Sequence, residues 1–144
     1  MTQENKELLL RDLCARLPYG VIVETPKGKG HVCDINLTIF GTEVGVNIKA
    51  TSRDKFYIED IQPYLFPLSS MTDELWDKEF RGYDITEYTR DSFKYGCETL
   101  EFYDHNPDLS DMVGFINQLI KNHFDIYGLI SKGLASDATG LNIY

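Results

Sequence analysis

Apolar residues recur at helical spacing near both ends of the chain and alternate with polar ones through its first third. Leu9, Leu10, Leu13, Cys14 and Leu17 fall three and four apart, which predicts an amphipathic helix over residues 4–16 with Glu7, Arg11 and Arg16 turned to water. Leu17-Pro18-Tyr19-Gly20 stops it, because proline disfavours helical geometry in the residue before it and glycine permits a sharp redirection. Val21–Thr25 and His31–Phe40 then read as strands joined by the hairpin signal Pro26-Lys27-Gly28-Lys29-Gly30. Gly41-Thr42-Glu43 predicts a second turn into Val44–Ala50, where Val44, Val46 and Ile48 alternate with Gly45, Asn47 and Lys49 and leave one face dry. With a short strand at Lys55–Ile58, the pattern predicts a small antiparallel sheet, SH3-like or curled.

The second half is less regular. Pro63–Leu68 reads as an extended, apolar connector packed across the sheet. A helix is predicted at about 72–81, with Thr72 as N-cap and Asp73 and Glu74 favourably placed against the helix dipole. Tyr83–Thr89 and Glu98–Tyr103 read as two strands around Asp91–Gly96, with a helical turn within Phe93–Leu100 as the alternative. Asn106-Pro107 opens a helix whose stripe is Leu109, Met112, Val113, Ile116, Leu119, Ile120 and Phe124. The segment Asp125–Ala135 is expected to pack through Ile126, Leu129, Ile130 and Leu134, and Ser136–Tyr144 reads as a short polar tail. The expected fold class is α+β: one domain in which N-terminal and C-terminal helices pack on the sheet. Its parts are a helical and β-rich portion at about 1–62 and an acidic, aromatic portion at about 63–144.

At 144 residues the chain is long enough for a core without disulfide or metal staples. Cys14, Cys33 and Cys97 are odd in number and far apart, which is no disulfide framework. The N-terminal stretch has a mixed, acidic lead and only Leu8-Leu9-Leu10 as an apolar run, unlike a secretory signal. A cytoplasmic location without membrane association is expected.

Charge changes the picture more than composition does. Of the net −9, residues 73–111 carry −8, with twelve acids against four bases, while residues 1–72 carry −1 and 112–144 none. Twelve of the 18 aromatics lie between residues 56 and 103, so acid and aromatic density overlap. The candidate interaction surface is Glu98, Glu101, Asp104, Asp108 and Asp111 with Tyr95 and Tyr103. Such a field steers association with cationic surfaces. The expected partner is a protein with a basic or apolar surface, and direct nucleic-acid binding is disfavoured. Two alternatives share the same residues: an acidic face that imitates nucleic acid and inhibits a DNA- or RNA-binding protein, and a small enzyme with an atypical acidic metal site.

Other constellations reduce to simpler readings. His31 and Cys33 share a strand face but lack the paired ligands that a structural zinc needs. The acids with His105 between residues 98 and 111 lack the glycine and terminal glutamate of a calcium-binding loop. Lys27 and Lys29 form a weak basic edge, with no strand–loop–helix context for a phosphate loop. No glycine-framed nucleophile accompanies Cys97, Ser69 or Ser70, and Trp76 and Phe80, four apart, read as core. No catalytic residue, cofactor or metal ligand is assigned, and the balance is against an enzyme.

Four blocks carry a resemblance: Leu8–Val21, Ile61–Thr72, Asn122–Ile130 and Gly133-Leu134-Ala135. They resemble short proteins encoded by gut Bacteroidales and their prophages and conjugative elements, and together cover about a third of the chain. The resemblance implies a cytoplasmic accessory protein of phage or mobile-element derivation and transfers no activity, cofactor or catalytic residue. The acidic stretch lies mostly outside these blocks.

Overall fold

The structure is a computed structural model that describes residues 1–49, 52–83, 90–91 and 108–144. It is α+β, with three helices and a six-stranded, mostly antiparallel open sheet among the described residues. The chain forms two compact units, one of residues 1–65 with 129–144 and the other of residues 66–128.

The first unit begins with α1 (Gln3–Arg16), capped by Thr2, whose hydroxyl accepts from the Asn5 amide at 3.2 Å. A 3₁₀ turn, Leu17–Tyr19, and Gly20 in the left-handed region (φ 71°) end it where the Pro-Tyr-Gly signal predicts. The inward face differs from expectation. Leu9, Asp12, Leu13 and Arg16 are buried, whereas Cys14 is exposed. Arg16 turns inward because its Nε and Nη2 donate to the two Asp12 oxygens, both at 2.8 Å, so one turn of helix neutralises both charges.

The strands are β1 (Ile22–Glu24), β2 (Gly30–Thr38), β3 (Gly41–Lys49), β4 (Ser52–Tyr57), β5 (Gln62–Leu65) and β6 (Ser136–Asp137). Their order is β4-β3-β2-β1-β5-β6. Every pairing is antiparallel except β5 with β6. Two corrections follow. The second hairpin turns at Ile39-Phe40, so Gly41–Glu43 already belongs to β3, with Thr38 opposite Gly41. The expected polar tail instead contains β6, in which Ser136 pairs with Tyr64 and Asp137 with Leu65; a two-residue strand leaves no periodicity to read. The connector read at Pro63 joins the sheet as β5. The core of this unit includes Val21, Val23, Val44, Val46 and Leu65, all at 0% exposure.

In the second unit, α2 (Asp73–Glu79) is capped by Thr72 as expected, its hydroxyl accepting from the Leu75 amide at 3.2 Å. α3 (Leu109–Lys121) takes Asp108 as N-cap, while Asn106 and Pro107 lie outside the described residues. Its expected stripe is rotated: Leu109 and Val113 are exposed and Phe115 is fully buried. Aromatic packing explains the rotation. Phe115 meets Trp76 and Phe80 edge-on at 5.8 and 5.4 Å between centroids, and those two rings stack at 5.7 Å. Gly114 lets Tyr83 lie close against the helix, since a Cβ there would sit 3.2 Å from Cδ1 of that ring. Phe124 joins this core from beyond the helix end, after His123 at φ 61°. The strands expected at Tyr83–Thr89 and Glu98–Tyr103 fall outside the described residues, Tyr83 apart.

Candidate interaction surfaces

Of the expected surface, Tyr95, Glu98, Glu101, Tyr103 and Asp104 lie outside the described residues, as do Cys97 and His105. Asp108 is a structural cap, accepting from the Ser110 amide at 2.7 Å, and Asp111 follows in the first turn of α3. Both carboxylates suit the positive end of the helix dipole. On α2, Asp73, Glu74 and Asp77 are exposed. The described aromatics of the same stretch turn the other way: Trp76 and Phe80 are core and Tyr83 packs against it.

The basic edge is already engaged. The Lys27 ammonium pairs with Asp54 at 2.5 Å and lies 5.8 Å over the Phe56 ring, while Lys29 lies 4.6 Å over Tyr64. Their turn is closed by reciprocal backbone hydrogen bonds between Thr25 and Gly28.

His31 and Cys33 are both exposed, beside a register shift between Val32 and Asp34. His31 Nδ1 lies 3.1 Å from the Gly20 carbonyl, and the Cys33 thiol donates to Asp34 Oδ2 at 3.2 Å. Local desolvation, followed by the bond to Asp34 and its charge, pushes that thiol above its ordinary pKa and disfavours the nucleophilic thiolate. Desolvation opposes ionisation of Asp34 too, yet bonds from Arg53, Cys33 and Asn36 outweigh it and hold the carboxyl below its usual value. Gly45 makes room for this carboxylate: a Cβ there would lie 2.7 Å from Asp34 Cγ. Among the described residues no group of three or more His, Cys, Asp or Glu side chains could hold a metal ion.

Two features of the first unit escaped the sequence reading. One is an open cleft of about 380 Å³ lined by Glu24, Glu59, Asp60, Thr25, Ile61 and Leu134 among others. Two of its carboxylates have partners. Glu24 accepts from the Tyr64 hydroxyl at 2.6 Å, and that bond, then burial, pushes the phenol up to about 12. Glu59 is held below its usual pKa chiefly by the Lys6 ammonium at 3.0 Å. The cleft brings acids together without arranging a nucleophile beside a base.

The other is the tip of the β2–β3 hairpin, where Leu37, Ile39 and Phe40 are 75%, 93% and 80% exposed. Its signal was readable as an uncharged run, Ile35–Thr42, ending in two large apolar residues before glycine. The strand period assigned those residues to β2 rather than to its turn.

In comparisons with known proteins, no family model matches the chain, and no curated protein or solved structure matches it either. No helix of the described residues is long and apolar enough to cross a membrane.

Proposed function

We propose that this is a non-enzymatic binding or regulatory accessory protein that meets a protein partner through its acidic stretch, residues 73–111. One observation carries the reading: described acids of that stretch, including Asp73, Glu74, Asp77 and Asp108, stand exposed around an aromatic core. Acids held outward create a field at the surface, and such a field steers a basic surface into encounter. The described aromatics add rigidity beneath that face rather than contact area on it. The partner therefore recognises charge first.

The test is a pull-down from the native cell with Glu98→Lys, Glu101→Lys and Asp104→Lys combined, leaving the cap Asp108 intact. Loss of the principal partner, with weaker capture by the unaltered chain as salt rises, is the expected result. An unchanged set of partners would end the proposal.

The same reading takes the sheet as curled and α1 as packed upon it. Register shifts at Val32/Asp34 and at Asn47/Lys49 support the curl, because bulges bend a strand and increase its twist. Complete burial of Leu9 and Leu13 supports the packing of α1. A cytoplasmic accessory role is supported by the free, exposed thiols of Cys14 and Cys33, and a phage or mobile-element derivation by the four resembling blocks.

A further inference from the structure

We infer that the tip of the β2–β3 hairpin is a second docking element, which inserts into an uncharged apolar cleft of a different protein. Exposure of two large apolar side chains at a two-residue turn has no local cause. Neither Ile39 nor Phe40 adopts positive φ, and the left-handed backbone is carried by Gly41 at φ 136°. A polar pair would satisfy the turn equally well and would shield the hairpin from aggregation. The fold therefore presents these side chains to water without gaining from their burial.

The tip is prepared for desolvation. Thr38 Oγ1 accepts from the Phe40 amide at 3.2 Å and donates to the Gly41 carbonyl at 2.9 Å, so polar groups of the turn are satisfied internally. No charge occurs between Ile35 and Thr42. Behind the tip stands Tyr57, 44% exposed, its ring beside Gly41. Glu43, directly opposite Tyr57 in the register, pairs with Lys55 at 3.0 Å, and farther along the strands Asp34 pairs with Arg53 at 2.5 Å. The hairpin thus grades from apolar, through an amphipathic ring, to neutralised charge. Tyr57 lies opposite Glu43, the third residue after Phe40, so its backbone sits about 10 Å behind the turn at the strand rise while its ring reaches back to Gly41.

Charge and area select the occupant. An anionic bilayer finds no unpaired cation among the described residues beside the tip to hold it, because the nearby Lys55 and Arg53 are already paired with carboxylates. A second copy offers convex against convex at its own tip, and its open cleft is lined by Glu24, Glu59 and Asp60, carboxylates that do not suit an uncharged apolar tip. Tip against tip, three side chains fall short of the roughly 800 Å² that each partner contributes to a stable interface. A concave protein surface encloses the tip on several sides and takes the hairpin flanks as well. Phe40 is then the anchor, since buried aromatic residues in desolvated pockets dominate such contacts.

The experiment places a benzophenone amino acid at position 39 of the full chain in its native cell, with a control at position 53, and maps the cross-linked peptide. The cross-linked protein is then purified and its affinity measured for the unaltered chain, Phe40→Asp and Phe40→Leu. The inference expects a cross-link within an apolar cleft of one protein, affinity lowered roughly thirtyfold or more by Phe40→Asp, and a change within about threefold for Phe40→Leu. Thermal midpoints should stay unchanged, because the side chain is exposed. A cross-link to a second copy, to lipid or to a charged surface would overturn it, as would cross-linking no stronger than the control or an affinity indifferent to Phe40→Asp.

Discussion

The two units place charge and apolar surface in opposite ways. In the first, a complete ion pair, Asp12–Arg16, is buried at 1% and 0% side-chain exposure, while Ile39 and Phe40 stand in water. In the second, Trp76, Phe80, Phe115 and Phe124 are buried together, and the described ion pairs lie at the surface. Composition alone treats acids as surface and aromatics as core or platform. The comparison teaches that a charge can go inside when its partner lies one helical turn away, and that an apolar residue can stay outside when its turn does not need it. Removing one partner of an ion pair should accordingly cost more in the first unit, where the other charge is left buried, than in the second, where it stays in water.

The largest expected effect tests the buried pair. Arg16→Met leaves the Asp12 carboxylate buried without its bidentate partner, and unfolding by urea should show a loss of about 3–5 kcal/mol. The double variant Asp12→Leu/Arg16→Met removes both charges and should recover most of that loss. A double variant as unstable as the single one would show that the pair is held by more than mutual neutralisation, and the contrast between units would need another basis.

A smaller effect is expected at alkaline pH. The Tyr144 hydroxyl donates to the Tyr64 carbonyl at 2.7 Å and accepts from the Ile22 amide at 3.1 Å, tying the C-terminal residue to β5 and β1. Burial pushes the Tyr144 phenol up to about 12, with the Asp12 charge adding to it against the Ile22 bond and Arg16. Because the folded pKa lies above the ordinary value of 10, the unfolded chain releases the proton first. This contribution is complete below about pH 10 and falls as pH rises toward 12. Tyr64, raised to about 12 by its bond to Glu24, acts in the same window. Thermal midpoints between pH 9 and pH 11.5 should decline, and Tyr144→Phe should flatten the decline while costing about 1–2 kcal/mol at neutral pH. An unchanged slope in that variant would remove the C-terminal tie from the account.

The elements legible in the sequence were those with strong local signals. Thr72 before Asp73-Glu74 marked α2, the Pro-Tyr-Gly stop marked the end of α1, and Trp76 with Phe80 read as core. Positions decided by tertiary pairing were not legible. Arg16 looks solvent-facing until its bond to Asp12 is known, and Ser136–Asp137 becomes a strand only because β5 offers an edge. The β2–β3 turn was displaced because Ile39 and Phe40 fit the strand alphabet better than the turn alphabet. Of the candidate surface, Asp108 and Asp111 lie at the start of α3, close to where the Asn106-Pro107 signal opened that helix, whereas the remainder lies outside the described residues.

The smallest expected effect sharpens the comparison from the other side. Glu79, the last residue of α2, is approached by Lys78 at 3.3 Å and by Lys121 of α3 at 3.9 Å and accepts a hydrogen bond from Gln118. Both ammonium groups are largely in water, with side chains 76% and 53% exposed. Screening and side-chain entropy offset most of the Coulomb attraction at such sites. Lys121→Ala should therefore cost less than about 1 kcal/mol in urea unfolding, and raising the salt concentration should reduce the difference further. Gln118→Ala is the paired control, because it removes the neutral hydrogen bond to the same carboxylate, whose strength depends little on salt. If Lys121→Ala instead approached the cost of Arg16→Met, exposure would not be what separates the two sets of ion pairs, and the helical spacing of Asp12 and Arg16 would lose its explanatory role.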